Sequence, residues 1–569
     1  MTPQHPTAGR PRPVRPRGTR MLSVAVAGLT LAAACTKSST PAGGGGDAKA
    51  VDVQANALEA DETPTDGGAL VVGVMAESTG WNVHRSLWSD AANFVGSSVL
   101  EPLTMFDKEG KAQPWLLTGF EPANAGSFDA WTLNVRPGVT FHDGTALDAS
   151  VVAANLNSAR SQSLAGVATG YMFSSVDATG PLTVSVKLTQ PWASFGSYLG
   201  NISGYMMSPA MLADPEGMND NPIGTGPYKF DQWIPDKSFK VKRNDTYWGP
   251  SKPHLESIEF RPITDNRTRE NGLRSGELDL VFTSRGADLA PMKAAGFTVV
   301  TDFNSEKTFV MLNTAEGPEN AGNPFTNIHA RRALAYGTDT ESLRGTISPD
   351  QPLNRSTQIQ VASGPFGMDE NATGYPTYDP VKAKEEIEAY KRDTGATSLK
   401  FTFTGIANLD DQQVQQVLKA QWDQLGMEVE LNSIEQAQYV LQQATGKFQA
   451  GFFRNYAYPD PEANYYFFHS QTAKGVGSIS VNFHQLKVPE IDAALDASRR
   501  TTDPAERKKY TDTLTTEVNK SLVDIWLYNT AYALVASPKV RGLNPARQQP
   551  FGNYLAKTWF WVSVWKQPS

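Results

Sequence analysis

The chain has one cysteine, Cys35, among 569 residues. A single cysteine cannot form a disulfide within its own chain, so the fold must be held together by its hydrophobic cores. Hydrophobic residues make up 40% of the chain, which is typical of a globular protein rather than a disordered one. Because 569 residues exceed what one small core can organise, the length predicts two or more lobes.

The region before Cys35 has the pattern of an export signal. An apolar run, Leu22–Ala34, is too short to cross a membrane as a mature helix. It follows five arginines, which are Arg10, Arg12, Arg15, Arg17 and Arg20. The sequence LAAAC at its end resembles a bacterial lipobox, in which the cysteine is lipidated and becomes the new N-terminus. We therefore predict a signal peptide over 1–34 and lipidation of Cys35; the alternative is a soluble secreted protein with an unmodified cysteine.

Residues 35–66 are rich in Gly, Ser and Pro and then in acidic residues, without apolar periodicity. This composition predicts a flexible tether that holds a globular body away from a membrane. Cleavage after residue 34 would remove five of the 51 basic residues and none of the 59 acidic ones. That leaves 46 basic residues and a net charge of −13. Such an acidic chain is not expected to bind nucleic acid.

From about Gly68 onward, the hydrophobic pattern indicates both strands and helices. Strands are predicted at Ala69–Met75, at Trp131–Val135 with a continuation over Val139–Phe141, and at Leu182–Leu188. In the second half, Asp379 and Asp503 each precede a proline and are predicted to cap helices. A further amphipathic helix is predicted to end at Gly426 and to lead into a strand. This mixture predicts an α/β fold.

Motifs of the common catalytic and metal sites are missing from the sequence. The pairs Gly110-Lys111 and Gly446-Lys447 lack the serine or threonine of a phosphate-binding loop, and no G-x-S-x-G elbow occurs. The histidines form no H-x-x-x-H or H-E-x-x-H pair, and lipidation would consume the cysteine. The sequence thus predicts no catalytic residue, no metal ligand and no cofactor, and it favours a binding protein over an enzyme.

Several segments resemble the extracytoplasmic solute-binding proteins of family 5, which serve peptide-type ABC transporters. The matching stretches lie in the family's order between about Gly68 and Leu543. They include EPLTMFDKEGKAQPWLLTGFE, WTLNVRPGVTFHDGTALDASVVAANL, NPIGTGPYKF, RNDTYWG, LRSGELDLVF and NPFTNIHARRALAYGTDTESL. The resemblance implies a class II periplasmic-binding-protein-like fold, in which two lobes close on a ligand by hinge motion. It also implies delivery of the ligand to ABC permease and ATPase subunits, and we expect a monomer.

By analogy with the family, the mature chain divides into three parts. Lobe I is discontinuous and takes 67–104, 220–308 and 521–569. An extra subdomain, 105–219, is inserted in lobe I, and lobe II takes 309–520. The stretches FHDGT and NPIGTGPY are interpreted as turns that set the fold rather than as ligand contacts.

The segment FFRNYAYPDP, Phe452–Pro461, is the predicted ligand loop. We predict a strand over Phe448–Phe453, and the loop that leaves such a strand reaches the cleft in class II folds. The resemblance also places the loop after the first strand at the cleft. The expected ligand-binding residues are Trp81, Arg454, Asn455, Tyr456, Tyr458 and Asp460.

Peptide-binding relatives carry an acid that pairs with the peptide α-amino group at the position of Ala457, and a tryptophan at that of Arg454. Without this acid, a buried ammonium would lack its partner. An inward-facing Arg454 would instead favour an anionic ligand group through a bidentate hydrogen bond. The alternative is that Arg454 pairs with a local acid such as Asp460 or Glu462, or points to solvent.

The sequence therefore supports, as its leading hypothesis, a membrane-anchored binding component of an ABC importer. Its ligand would be a peptide or another small organic solute. Two alternatives stay open: a ligand-sensing or chaperone-like interaction module with the same fold, and an exported hydrolase.

Overall fold

The computed structural model describes residues 63–86, 88–107, 111–162, 170–284, 289–317, 320–349, 353–360, 362, 364–456, 460–461, 464–543 and 558–568. The predicted signal peptide, Cys35, Tyr458, Ala457 and Glu462 lie outside these residues. Tyr456 is described in its backbone only.

The described residues form twenty strands. They are β1 (Ala69–Val74), β2 (Glu101–Pro102), β3 (Thr104–Phe106), β4 (Ala112–Pro114), β5 (Leu117–Asn124), β6 (Ser127–Val135), β7 (Phe173–Gly180), β8 (Thr183–Leu188), β9 (Tyr205–Met206), β10 (Tyr228–Ile234), β11 (Ser238–Arg243), β12 (Ser257–Pro262), β13 (Leu280–Thr283), β14 (Thr298–Leu312), β15 (Lys400–Ile406), β16 (Glu428–Ile434), β17 (Ala450–Tyr456), β18 (Asp524–Ala536), β19 (Val540–Arg541) and β20 (Trp565–Lys566).

The α-helices of the same residues are α1 (Asp90–Gly96), α2 (Ala149–Gln162), α3 (Phe195–Leu199), α4 (Pro209–Ala213), α5 (Asn266–Ser275), α6 (Leu289–Ala294), α7 (Ile328–Gly337), α8 (Thr340–Ile347), α9 (Pro380–Thr394), α10 (Leu409–Gln424), α11 (Gln436–Ala444), α12 (Asn464–Phe468), α13 (Pro489–Ser498), α14 (Pro504–Ser521) and α15 (Thr558–Ser563).

Ten of these strands form one sheet with the order β10-β11-β12-β1-β13-β18-β14-β17-β15-β16. We call β10 to β13 with β1 the first half of this sheet, and β17, β15 and β16 its second half. Between the halves lie two long antiparallel strands, β14 with 15 residues and β18 with 13. We call β14 and β18 the crossing strands, because they pair with each other along most of their length while β18 pairs with β13 of the first half and β14 with β17 of the second.

Each half of the large sheet packs against its own hydrophobic core. One buried cluster joins β1 and β12 to α1, for example through Val72, Phe94 and Phe260. Another joins β15 to α10, with Phe403 packed near the fully buried Trp422. A smaller sheet, β5-β6-β8-β7, packs in a third cluster that also includes residues of α12 to α14.

Most sequence-predicted elements are confirmed, and their local chemistry explains them. The side chain of Asp379 accepts from two amides of the first turn of α9, and Asp503 does the same for α14. Gly426 has φ 93°, the left-handed conformation that ends a helix before β16 begins. Trp422 of α10 faces the core, where its side chain is fully buried.

Two strand predictions were wrong in extent. The predicted continuation over Val139–Phe141 forms only an isolated bridge between Thr140 and Ala146. The strand predicted over 448–453 instead covers Ala450–Tyr456, because the long β14 offers it partners as far as Glu306. Arg454 and Asn455 therefore lie within a strand rather than in a loop.

A buried carboxylate, Glu101 of β2, joins segments that are far apart in the chain. Its side chain has no exposed surface and accepts four hydrogen bonds from neutral donors. One oxygen accepts from Trp115 Nε1 (2.9 Å) and Tyr247 Oη (2.7 Å), the other from Thr225 Oγ1 (2.7 Å) and Trp248 Nε1 (2.8 Å). Burial raises the pKa of Glu101 to about 7, although these four hydrogen bonds act in the opposite direction.

In the part of the chain that the structure describes, no helix is both long and apolar enough to cross a membrane.

Candidate functional site

Arg454 lies where the second half of the sheet meets the crossing strands. It is opposite Thr308 of β14, and two residues along β14 stands Glu306, opposite Thr530 of β18. Residues directly opposite in neighbouring strands share a face, and residues two apart in one strand do too. Arg454 and Glu306 therefore lie on the same face of the sheet, on neighbouring strands.

Two helices complete this face with one acid each. Asp90 begins α1, which packs on the first half of the sheet, and its carboxylate accepts a hydrogen bond from Tyr532 of β18. Asp411 lies in the first turn of α10, which packs on the second half. We call Asp90, Glu306, Asp411 and Arg454 the central cluster. Asp90 comes from a helix beside the first half and Asp411 from a helix beside the second half. Glu306 lies on the crossing strand β14 and Arg454 on β17 of the second half.

The electrostatics of the central cluster are dominated by burial and by its excess of acids. Burial opposes the charge of Arg454, but Asp411 and Glu306 outweigh it and raise its pKa above the ordinary value. Burial, followed by repulsion from Asp90, raises the pKa of Glu306 to about 8. Burial also raises the pKa of Asp411, while Arg454 acts in the opposite direction. Three carboxyl groups thus act electrostatically on one guanidinium.

Two carboxylate oxygens of the central cluster lack a hydrogen-bond partner among the described residues. They are Oε2 of Glu306 and Oδ2 of Asp411, and each of these side chains is only 4% exposed. Arg454 keeps some accessible surface although the protein surrounds it closely. The cluster therefore combines a partly accessible guanidinium with buried carboxylate oxygens that accept no hydrogen bond from the described residues.

A direct contact joins the two sides near this cluster. Asn266, the first residue of α5, donates from Nδ2 to Oδ2 of Asp410 in α10 at 2.5 Å. Helix α5 precedes β13 in the first half, and α10 follows β15 in the second half. The described conformation thus holds both halves in contact beside the central cluster.

Asn455, the neighbour of Arg454, faces the other side of the sheet because side chains alternate along a strand. It lies opposite Lys307, whose ammonium donates to Asn529 Oδ1 at 2.7 Å. Asn455 is 7% exposed. The two neighbouring residues predicted as ligand contacts are therefore separated by the sheet.

Asp460 is engaged by an arginine other than Arg454. Its two oxygens accept from Nη1 and Nη2 of Arg507 in α14, at 2.7 and 2.8 Å. Both side chains are nearly buried, with 13% of Asp460 and 10% of Arg507 exposed. The proposed pairing of Arg454 with Asp460 is thus wrong, and the acids around Arg454 are Asp411, Glu306 and Asp90 instead.

Trp81, in the segment that follows β1, lies in an aromatic cluster. Its ring centroid is 4.1 Å from that of Phe239, 5.9 Å from that of Trp233 and 6.0 Å from that of Trp88. The side chain is 2% exposed, and its indole N–H has no hydrogen-bond partner in the described part of the chain. A ligand contact of Trp81 stays a prediction.

Sequence reasoning missed Glu306, Asp411 and Asp90 as members of the site. Glu306 follows the polar stretch DFNS, which reads as a turn in sequence but forms part of β14. Asp411 reads as an ordinary acidic first turn of a helix. Only the pairing of β14 with β17, which brings Glu306 beside Arg454, reveals these acids as members of the site.

The described residues contain no group of three or more His, Cys, Asp or Glu side chains placed to hold a metal ion.

The chain is similar to proteins of known family. A family model described as bacterial extracellular solute-binding proteins, family 5 Middle, matches residues 111–475. The chain belongs to this family. It is similar to the glutathione-binding protein GsiB of Pectobacterium atrosepticum, with 26% identity over 428 residues, covering 73% of this chain and 79% of that protein.

Solved structures share the fold. DppA of Helicobacter pylori, in complex with the peptide STSA, matches with a TM-score of 0.76 and 19% identity, over 89% of this chain and 99% of that one. AgaA of A. tumefaciens R10, in complex with agropinic acid, gives the same TM-score and identity over 88% and 99%. The predicted family and the two-lobe α/β fold are therefore confirmed, and the relatives are solute-binding proteins rather than enzymes.

Proposed function

We propose that this family 5 protein is the extracytoplasmic binding component of an ABC importer, and that it captures a peptide or another small organic solute between its two lobes. The family match over residues 111–475 carries the proposal. The crossing strands support it, since two strands that pass between both halves of a sheet supply a hinge for closure. The central cluster beside these strands supplies polar groups from both sides.

The names of the relatives suggest candidate ligand classes. They include glutathione, short peptides and an opine acid, all small and rich in polar groups. In this role the protein binds and releases its ligand without chemical change, while permease and ATPase subunits perform transport. A sensing or chaperone-like module is not favoured, because the relatives carry solute-binding names. Peptidase, esterase and glycosidase substrates should show no turnover.

The boundaries given above for lobe I, the inserted subdomain and lobe II form part of this proposal, as does a monomeric state. Size-exclusion chromatography with light scattering tests the latter. The expected result is one chain per particle, and a stable dimer would contradict it.

The N-terminal signal adds a lipid anchor to the proposal. Cleavage after residue 34 and lipidation of Cys35 would tie the protein to the outer face of the membrane through residues 35–66. Metabolic labelling with palmitate should mark the wild-type protein, and Cys35→Ser should abolish the label and release the protein into the soluble fraction. Equal membrane retention of both proteins would contradict the anchor.

Native mass spectrometry of the protein purified from its host tests the binding function. We expect an adduct in the mass range of a small organic solute, which is lost when the protein unfolds. Absence of an adduct, together with no thermal stabilisation by a broad set of peptides and small polar solutes, would contradict the proposal.

A further inference from the structure

Two segments, one from each half of the large sheet, meet at the hydrogen bond between Asn266 and Asp410. Asn266 lies four residues after the end of β12 in the first half, and Asp410 lies four residues after the end of β15 in the second half. β12 is parallel to β1, and β15 is parallel to β16 and β17. The contact therefore joins the two halves at the carboxyl ends of parallel strands, which is where open α/β sheets bind their ligands.

Each of the two residues is held in place by the start of its own helix. Asp265 accepts a hydrogen bond from a backbone amide of the first turn of α5 at 2.7 Å, and Asn408 does the same for α10 at 2.8 Å. Asn266 is the first residue of α5 and Asp410 the second of α10, and both are half-buried. Since both helix starts are capped, the contact joins two well-defined helix ends rather than two loose loops.

Arg269, in the first turn of α5, sets the direction of the Asn266 amide. This arginine is 1% exposed, and it donates to Oδ1 of Asn266 and to the backbone carbonyl of Ile263. A guanidinium only donates hydrogen bonds, so the group of Asn266 that faces it must be the carbonyl oxygen. The NH2 group is then left to face Asp410, whose carboxylate only accepts. Arg269 is therefore a positioning residue for the contact between the halves.

The charges at this contact favour an amide and disfavour a second acid opposite Asp410. The Asp410 carboxylate lies in the first turn of α10 and contacts the first residue of α5, and the N-terminal end of a helix carries partial positive charge. Asp265 and Asp411 are the acids next in sequence to the two partners. A carboxylate in place of Asn266 would meet Asp410 directly, because the two side chains are 2.5 Å apart.

We infer that the hydrogen bond between Asn266 and Asp410 is a latch that stabilises the closed arrangement of the two halves. The inference rests on the proposed function, in which the halves close on a solute. When the halves rotate apart about the crossing strands, this hydrogen bond must break, whereas the capping bonds within each helix persist. A single hydrogen bond contributes enough to favour closure and little enough to break when the solute is released. Its strength then affects the rate at which the solute leaves.

Double electron–electron resonance measures the separation of α5 and α10 without any added ligand. The mature chain carries Cys35→Ser, which removes its one cysteine, together with Asn271→Cys and Gln416→Cys for the spin labels. Both labelled positions are exposed, one on each helix, and neither takes part in the latch. With Asn266 and Asp410 unchanged, we expect a distance distribution dominated by a short separation.

Asn266→Asp keeps an oxygen for Arg269 but replaces the donor that faces Asp410 by an acceptor. It should lower the ratio of closed to open protein about 10-fold or more, seen as a shift to longer distances. Asp410→Asn alone keeps an acceptor oxygen and should change the ratio by less than about 5-fold. The double variant Asn266→Asp with Asp410→Asn exchanges donor and acceptor and should restore the short distance. The matched control combines Asn266→Asp with Asp423→Asn, which alters a pair with Lys419 in the last turn of α10, and should stay open.

The outcomes separate the latch from the proposed function. Circular dichroism and the thermal midpoint verify that each variant is folded, and the restoring double variant excludes a general loss of structure. The same distances in Asn266→Asp and in the wild type, or no restoration by Asp410→Asn, would overturn the inference and leave solute capture intact. Failure of the proposed function is seen instead by native mass spectrometry and thermal stabilisation, which do not depend on the distance between the helices.

Discussion

Replacing Glu101 by glutamine should destabilise the protein although the two side chains have nearly the same shape. The Glu101 carboxylate is fully buried, and each of its two oxygens accepts two hydrogen bonds. Glutamine keeps one acceptor oxygen and replaces the other by an NH2 group, which only donates. Two of the four donors would then face another donor in a site without exposed surface.

The magnitude follows from the bonds that are lost. A hydrogen bond to a charged acceptor contributes about 1.5–3 kcal/mol, and a buried donor left unpaired costs about 1–3 kcal/mol. Removing the charge from the site offsets part of this cost, since burial already disfavours it. We expect a net loss of about 2–4 kcal/mol in the free energy of unfolding, and a thermal midpoint lower by roughly 2–4 °C for a chain of this length.

Urea denaturation monitored by tryptophan fluorescence measures this loss, with Glu121→Gln as the control. Glu121 lies on β5 with an exposed side chain, so its replacement should change stability by less than about 0.5 kcal/mol. A Glu101→Gln variant as stable as the wild type would show that the four hydrogen bonds do not hold these segments together. The same variant with an unchanged midpoint but a changed denaturant slope would point to the unfolded state instead.

Three further predictions test other parts of the structure. Because the pKa of Glu306 rises to about 8 from an ordinary value near 4.5, the folded protein binds this proton more tightly than the unfolded chain. The free energy of unfolding of the wild type relative to Glu306→Gln should therefore fall by roughly 3–5 kcal/mol between about pH 4.5 and pH 8. A difference that does not change with pH would contradict the raised pKa. In Gly224→Ala, the new Cβ would lie 2.0 Å from the carbonyl oxygen of Val99, so we expect the free energy of unfolding to fall by about 2–4 kcal/mol, measured as a shift of the urea midpoint. The control Gly119→Ala, whose new Cβ would have its nearest atom 3.7 Å away, should have little effect. Asp460→Asn removes the charge from a nearly buried ion pair with Arg507 and should lower the free energy of unfolding by about 1–3 kcal/mol, measured by thermal unfolding. The control Asp512→Asn alters a more exposed pair with Lys508 and should lower it by less than about 0.5 kcal/mol. Equal effects of the two variants would refute the role of burial.

The sequence predicts those features that depend on neighbouring residues. The helix starts at Asp379 and Asp503 follow from a cap and a proline, and β1 follows from a short apolar run. Glu101 is different, because three of its four donors lie 124 to 147 residues away in the chain. No local pattern marks an acid that will be buried among such donors.

The candidate site also depends partly on neighbouring residues and partly on residues far apart in the chain. Arg454 could be singled out because it replaces a ring in a recognisable loop, but its strand is longer than the apolar pattern suggests. The extension of β17 depends on pairing with β14, whose middle is polar in sequence. Pairing in the sheet therefore decides that Arg454 meets Glu306 and that Asn455 faces the other side.

A crystal structure of the protein with its co-purified solute shows directly where the ligand binds. We predict density for one small molecule between the two halves of the large sheet, within hydrogen-bonding distance of Arg454, Glu306 or Asp411. A solute bound elsewhere on the protein, with the central cluster unchanged and closed to it, would contradict this prediction.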